Sequence, residues 1–237
     1  MGKELEIDLF LDYNKVNFLC VTEHWLKKYE LNCNFKNHQV MSSFCRENAI
    51  RGGSLIIVNK DYKCKERRDI VSLSVERIIE MACVELERFI VVSVYRPPNS
   101  LYDSFENILE HVLLKLSVSN KHIFICGDFN INLLENTNAT IRFRTLLKSY
   151  NLSNLFSEPT RKTSTSATCI DNIFTNMLIV QETYSLFLLI LDVWRSLEVK
   201  FWQKLRMFVI VKILMFTTWI YLIALMMNLV PSLLLKL

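Results

Sequence analysis

The sequence predicts an α/β fold in which two β-sheets pack against each other and helices cover their outer faces. Apolar runs of strand length come in pairs, and stripes of helical period, about four turns each, separate the later ones. Length agrees, because 237 residues suffice for one well-buried domain that needs no disulfide or metal staple. Neither an internal repeat nor a Gly/Ser linker interrupts the chain.

In chain order, Leu5, Leu9 and Phe10 at helical spacing predict an amphipathic first helix, and Val16 to Val21 a short strand. Gly53 to Val58 reads as the next strand, after a glycine pair. Ile78 to Leu86 and Phe89 to Tyr95 predict an antiparallel pair that turns near Glu87-Arg88; the second run is apolar on both faces and therefore central. From Asp103 the period changes: Phe105, Ile108, Leu109, Val112, Leu113 and Leu116 mark one helical stripe. Asp103 with Glu106 three residues on predicts a capping box, with Asp in the capping role. A strand from His122 to Cys126 follows, ending at Gly127, where glycine lets the backbone turn. A second helix is predicted from Ala139, capped by Asn138, with Phe143, Leu146, Leu147 and Tyr150 on one side. Ser157 to Thr168 reads as a Ser/Thr-rich loop and Ile170 to Thr175 as a strand.

The net charge of +4 does not by itself mark a nucleic-acid binder. The basic clusters at Lys60 to Arg68 and at Arg161-Lys162 read as solvated loops before phosphate contacts. Seven cysteines without a CxxC spacing indicate an intracellular chain, in nucleus or cytoplasm, rather than a disulfide framework or zinc site. The charged start Met1-Gly2-Lys3-Glu4 has no apolar segment of the secretory kind.

Several polar groups fall where strands end. Glu23 lies just beyond the first strand, Tyr95 closes a buried one, and Gly127-Asp128-Phe129-Asn130 carries an acid and an amide past an apolar run. Asp and Asn side chains delivered together at a strand end can be aimed at a metal-bound phosphate. Read alone, each has a plainer account: Glu23 as a surface acid, Asp128 and Asn130 as β-turn residues, Tyr95 as a core tyrosine. His24 reads as a loop residue.

Thr22-Glu23-His24-Trp25-Leu26, Arg51-Gly52-Gly53, Tyr95-Arg96-Pro97-Pro98-Asn99, Gly127-Asp128-Phe129-Asn130 and Ile170-Asp171-Asn172-Ile173-Phe174-Thr175-Asn176 occur in this order. Together they resemble the endonuclease/exonuclease/phosphatase family, specifically the endonuclease domain of non-LTR (LINE-type) retrotransposons, over roughly residues 3 to 180. The resemblance implies a four-layer α/β sandwich and hydrolysis of DNA phosphodiesters with Mg2+, or Mn2+ as the alternative, and no small-molecule cofactor. It makes Glu23 the metal ligand and Asp128 the group that orients or deprotonates the attacking water. Asn130 would contact the phosphate, Tyr95 would meet a phosphate oxygen or the leaving group, and Asp171 would support the network. Asn172 replaces the commoner His or Tyr, and Glu80 reads either as an acid near the site or as an edge-facing charge.

Two departures make weak or absent activity the expectation, with a non-catalytic relic that at most binds nucleic acid or a partner as the alternative. Met1 falls at the first helix, beyond the family's first strand and its Asn, and no Ser-Asp-His occurs in the chain. The nearest remnant is Leu191-Asp192-Val193, whose valine can neither accept a proton nor hydrogen-bond a phosphate. A frameshift near residues 178 to 190 is the other account of this segment. The domain is thus expected over residues 1–180 and a divergent, helical, apolar tail over 181–237. Residues 213–235 carry no charge, and the tail has three readings: a decayed end, a membrane anchor or a packed core helix.

Overall fold

Period-two alternation decides the architecture, because each central strand finds apolar partners on both of its faces. The computed structural model describes residues 2–49, 51–155, 157–177 and 207–211. Its first half comprises α1 (Gly2–Tyr13), β1 (Phe18–Thr22), β2 (His38–Phe44), β3 (Ser54–Asn59), β4 (Lys65–Glu66), α2 (Arg68–Val71), β5 (Glu80–Glu85) and β6 (Phe89–Tyr95). There follow α3 (Tyr102–Ser117), β7 (His122–Asp128), α4 (Asn138–Ser149), β8 (Ser153–Asn154), β9 (Arg161–Lys162), β10 (Ala167–Thr168), β11 (Asp171–Thr175) and β12 (Met207–Val211).

One sheet has the order β12-β1-β3-β2 and the other β4-β5-β6-β7-β11-β8. Described neighbours run antiparallel except β6 and β7, which are parallel and joined through α3 as a βαβ unit. Between the sheets lie Phe18, Cys20, Ile56 and Val58 from one and Ala82, Val84, Val91, Phe124, Cys126 and Ile173 from the other. Here the Cys20 and Cys126 sulfurs approach to 3.3 Å. The alternate residues Met81, Cys83, Val92, Val94, Ile123 and Ile125 turn outward to meet Phe105, Leu109, Val112 and Phe143 of α3 and α4. Leu19, Val21, Leu55 and Ile57 pack on the outer side of the four-stranded sheet with Leu11 of α1. Helix, sheet, sheet, helix is therefore the order of layers.

Several local expectations change. In α1 it is Leu11, with Ile7 and Phe10 half-buried, that meets the sheet; Leu5 and Leu9 are both 62% exposed. The capping box at Asp103 does not form: Leu101 precedes α3 without a side-chain cap. Asp103 and Glu106 both pair instead with Arg142 of α4. The cap of α4 is Thr137, whose hydroxyl accepts from the Thr140 amide, one residue before the expected Asn138. β2, polar in composition, went unpredicted, yet its polar side chains are buried on both faces: His38 toward α1 beside Val16 and Asp12, Ser42 toward the other sheet, accepting from the Cys83 amide at 2.9 Å. The Ser/Thr-rich loop contains the small hairpin of β9 and β10.

Gly127 is not a turn residue. It lies within β7 opposite Val94, and a Cβ there would stand 1.8 Å from the Val94 carbonyl oxygen. Close approach of two backbones explains the glycine; the chain turns only at Asn130, at φ 48°. In the tail, β12 pairs along β1 from Met207↔Thr22 to Val211↔Phe18, so these five residues form a strand where a helix was expected. The Leu191-Asp192-Val193 segment and residues 213–235 lie outside the described residues. Among the described residues no helix is long and apolar enough to cross a membrane.

Candidate active site

The row of side chains that fills the space between the sheets ends, at one edge, in polar groups. Glu80 pairs across with Tyr95, Tyr95 with Asp128, and Asp128 with Asp171, so four adjacent strands place these residues on one rung. Each continues the inward parity of its strand, Ala82 to Glu80, Val91 to Tyr95, Cys126 to Asp128 and Ile173 to Asp171, so all four face the opposing sheet. From that sheet comes Glu23, one residue past β1. Its amide donates to the Gly53 carbonyl at 2.8 Å, and its carboxylate accepts a hydrogen bond from the Tyr95 hydroxyl. Glu23 adopts φ 54°, a left-handed conformation that costs a non-glycine residue about 1–2 kcal/mol and that these bonds hold in place.

Glu80 is fully buried and does not face the sheet edge as a free charge. It accepts from Arg46 Nε and the Gly53 amide, each at 2.6 Å, and from the Arg77 amide at 3.1 Å. Burial raises its pKa against the pull of those donors. Glu80 thus anchors the Gly52-Gly53 turn, and Arg46 lies 5.9 Å from the centre of the Tyr95 ring. Glu85, at the other end of the strand, pairs with Lys65, Arg67 and Lys121.

Asp128 is 2% exposed. Its Oδ1 accepts from the Asn130 amide at 3.1 Å and its Oδ2 from Arg161 Nη2 at 2.9 Å. Burial, and then the neighbouring Asp171 carboxylate, raise its pKa from 3.8 to about 7, with Glu23 adding in the same direction and Arg161 opposing. Arg161 also reaches Asp171, through Nε at 3.1 Å and Nη2 at 3.2 Å, and the Thr160 hydroxyl donates to Asp171 at 3.1 Å. Burial raises the Asp171 pKa against this pairing. Arg161 is the candidate-site residue that sequence reasoning missed: expected in a solvated loop, it is carried by the β9–β10 hairpin onto both acids.

Burial, followed by the bond to Glu23, pushes the Tyr95 phenol well up, so it remains a donor. Asn130 is half-buried at the turn after Asp128, and its Nδ2 donates to the Arg96 carbonyl at 2.7 Å. Arg96 returns the contact to the Phe129 and Asn130 carbonyls at 3.3 and 3.2 Å, which fixes the turn. His24 is buried away from any ligand role: the Leu26 amide donates to Nδ1 at 3.0 Å and Nε2 meets the Phe44 carbonyl at 3.0 Å. That pattern assigns the proton to Nε2, and burial lowers the ring's pKa to about 4. Gly53 must be glycine because a Cβ would stand 2.3 Å from His24 Nε2.

The expected residues Glu23, Tyr95, Asp128 and Asp171 are therefore brought together at one edge of the space between the sheets, with Asn130 on the adjoining turn. The Glu23 carboxylate offers the hard oxygens that a divalent cation prefers, while Asp128 and Asp171 are both bonded by Arg161, and the three acids do not gather within 4.8 Å as a ready three-ligand set. Thr22 Oγ1 is buried next to Glu23 without a hydrogen-bond partner among the described residues, an orphan that a bound ligand or its water would satisfy.

The sequence matches the family model described as Endonuclease/Exonuclease/phosphatase family over residues 5–184. No curated protein shows significant sequence similarity to the chain. Among solved structures, the endonuclease domain of TRAS1, a telomere-specific non-LTR retrotransposon, superposes with TM-score 0.54 at 16% identity, covering 72% of this chain and 76% of that one. AP endonuclease LMAP from Leishmania major gives TM-score 0.53 at 10% identity, with 78% and 75% covered. The 3′ phosphatase NExo from Neisseria, bound to a product DNA hairpin, gives 0.54 at 12%, with 76% and 82% covered. These likenesses concern the fold, whereas the sequence match runs through more than half of the chain: it belongs to the endonuclease/exonuclease/phosphatase family.

Proposed function

We propose that the chain is a divalent-metal-dependent phosphodiester hydrolase that nicks DNA, of the non-LTR retrotransposon branch. The observation that carries this reading is the meeting of Glu23 with the Tyr95–Asp128–Asp171 rung across the two sheets. Glu23 would hold Mg2+, with Mn2+ as the alternative, and the bound ion would offset the charge that develops on the phosphate. Asp128, ionised, orients the attacking water and accepts its proton. Asp171 and Arg161 hold that carboxylate in register. Once a metal ion takes up Glu23, the Tyr95 phenol, which otherwise donates to that carboxylate, is free to donate to a phosphate oxygen, and Asn130 contacts the phosphate from its turn. Thr22-Glu23-His24-Trp25-Leu26 and Tyr95-Arg96-Pro97-Pro98-Asn99 support the retroelement branch over other phosphatases of the family.

With no Ser-Asp-His in the sequence, a rate lower by about 100- to 1,000-fold for the lost donor is expected. Conversion of supercoiled plasmid to open circles, with Mg2+ and with EDTA, is the test. Slow, EDTA-sensitive nicking supports the proposal. Plasmid binding without any nicking supports instead a non-catalytic domain, a reading favoured by the way Arg161 already satisfies both Asp128 and Asp171.

Cleavage should also follow the titration of Asp128. Its ionised form is the working one, so the rate should rise about tenfold per pH unit up to the group's pKa of about 7 and level off above it. A bound cation will move the inflection downward. A rate that falls with pH over this range would exclude Asp128 as the base.

Trp25, 38% exposed and two residues beyond Glu23, is stacked by Arg51, whose guanidinium lies 5.4 Å from the ring centre. An exposed aromatic, close to Glu23 in the chain and paired with a cation, suits a nucleic-acid backbone. Arg51→Ala should weaken duplex binding and reduce the slope of log Kobs against log salt by about one, read by fluorescence anisotropy in EDTA. An unchanged slope removes Arg51 from the interface.

A further inference from the structure

At the far end of the four-stranded sheet, α1 and β2 bring together Asp8, Asp12 and His38, whose ligand atoms all lie within 4.8 Å of one another. β1 separates this cluster from Glu23 by its five residues, about 17 Å of strand. Asp8 and Asp12 stand four apart on one helix face, a placement in which like charges repel. His38 supplies the independent observation. Its side chain is 1% exposed, its Nε2 meets the Val16 carbonyl at 2.8 Å, and its Nδ1 has no hydrogen-bond partner among the described residues. A carbonyl only accepts, so Nε2 carries a proton, and in the neutral form of the ring Nδ1 presents its lone pair toward the acids. The nearest oxygen is Asp12 Oδ1 at 3.8 Å, beyond hydrogen-bonding distance. Lone pairs therefore converge from a ring and two carboxylates with a gap between them.

We infer that Asp8, Asp12 and His38 form a second, structural metal site, one that takes Zn2+ and fastens α1 to β2. An imidazole nitrogen with two carboxylates suits a first-row transition ion, whereas Mg2+ and Ca2+ prefer oxygen alone. Bonds of about 2.0–2.2 Å would draw the triad together through small rotations of Asp8 and Asp12, with water in the fourth position. The surroundings hold the acids as metal ligands are commonly held. Asn37 Nδ2 donates to both Asp12 oxygens at 3.0 Å, and the Lys36 amide donates to Asp8 at 3.1 and 3.2 Å. The ring is oriented by its bond to Val16.

The test uses the full chain, stripped of metal and dialysed against Zn2+ under excess Mg2+, with bound zinc measured by mass spectrometry. One Zn2+ per chain is expected, with Tm raised by about 5–10 °C at a hundredfold excess over Kd. Asp8→Asn and Asp12→Asn keep the acceptor oxygens but should bind at least about tenfold more weakly, while Glu23→Gln should bind as the native chain does. Co2+ in place of Zn2+ should give visible d–d bands without thiolate charge transfer, which separates this site from the seven cysteines. No zinc retained, zinc retained equally by Asp12→Asn, or a thiolate spectrum would overturn the inference. If a variant fails to fold, the Co2+ spectrum of the native chain decides alone, and absent d–d bands refute the site.

Discussion

Replacing Asp128 by Ala should lower metal-dependent nicking by about 100- to 10,000-fold, the usual contribution of a positioned acid or base. No described neighbour can take over. Asp171 is held by Arg161 and Thr160, and Glu23 is hydrogen-bonded to Tyr95. The loss should be in chemistry rather than in folding. The Asp128 pKa rises from 3.8 to about 7 in the folded chain, so the native state binds its proton more tightly than the unfolded state does. Ionisation of this group therefore costs the folded state almost nothing below pH 4 and progressively more as pH rises through 7. Removing the carboxylate should leave metal-free Tm unchanged near pH 4 and raise it above pH 7, with Asp128→Asn behaving alike. Calorimetry at the two pH values, beside plasmid nicking, checks both halves. Full nicking by Asp128→Ala would refute its role, and a lower Tm at pH 8 would refute the electrostatic argument.

Among Gly52, Gly53 and Gly127, replacing Gly127 by Ala should be the most damaging, costing at least about 3 kcal/mol. The new Cβ would meet the Val94 carbonyl oxygen at 1.8 Å, that carbon at 2.7 Å and that nitrogen at 2.9 Å. All three belong to the backbone of β6, a central strand with β5 on one side and β7 on the other. A flexible side chain could swing aside; this ladder cannot. Relief requires β6 and β7 to part at the Val94–Gly127 rung, next to the one where Tyr95 faces Asp128, so activity should fall along with stability. Chemical denaturation of Gly127→Ala beside the native chain measures the cost, and a loss under about 1 kcal/mol would show that the strands yield.

Strands were legible where both faces are apolar. Phe89–Tyr95 announces a central strand because every second residue meets the helices and the others meet the opposing sheet. The candidate acids were legible only through the order of motifs that resembles the family, since each alone reads as a surface acid or a turn residue. Roles that depend on distant partners were not. Asp103 looks like a helix cap until Arg142, 39 residues later, draws it away, and Arg161 looks like loop charge until the hairpin sets it against Asp128, 33 residues earlier. His38 and Ser42 made β2 look too polar for a strand, since nothing local tells that Val16 and Cys83 will bond them.

The rung of Glu80, Tyr95, Asp128 and Asp171 has a mechanical consequence. Adjacent strands repeat at about 4.8 Å, so the row spans about 14 Å, and its pitch belongs to the peptide ladder rather than to the side chains. Such a site has no joints of its own: one member cannot slide relative to the next unless the whole sheet shears. Any adjustment to a ligand must then fall to parts off the lattice, such as the loop of Trp25 and the hairpin that carries Arg161. Over generations a residue in that row can change its identity but not its place.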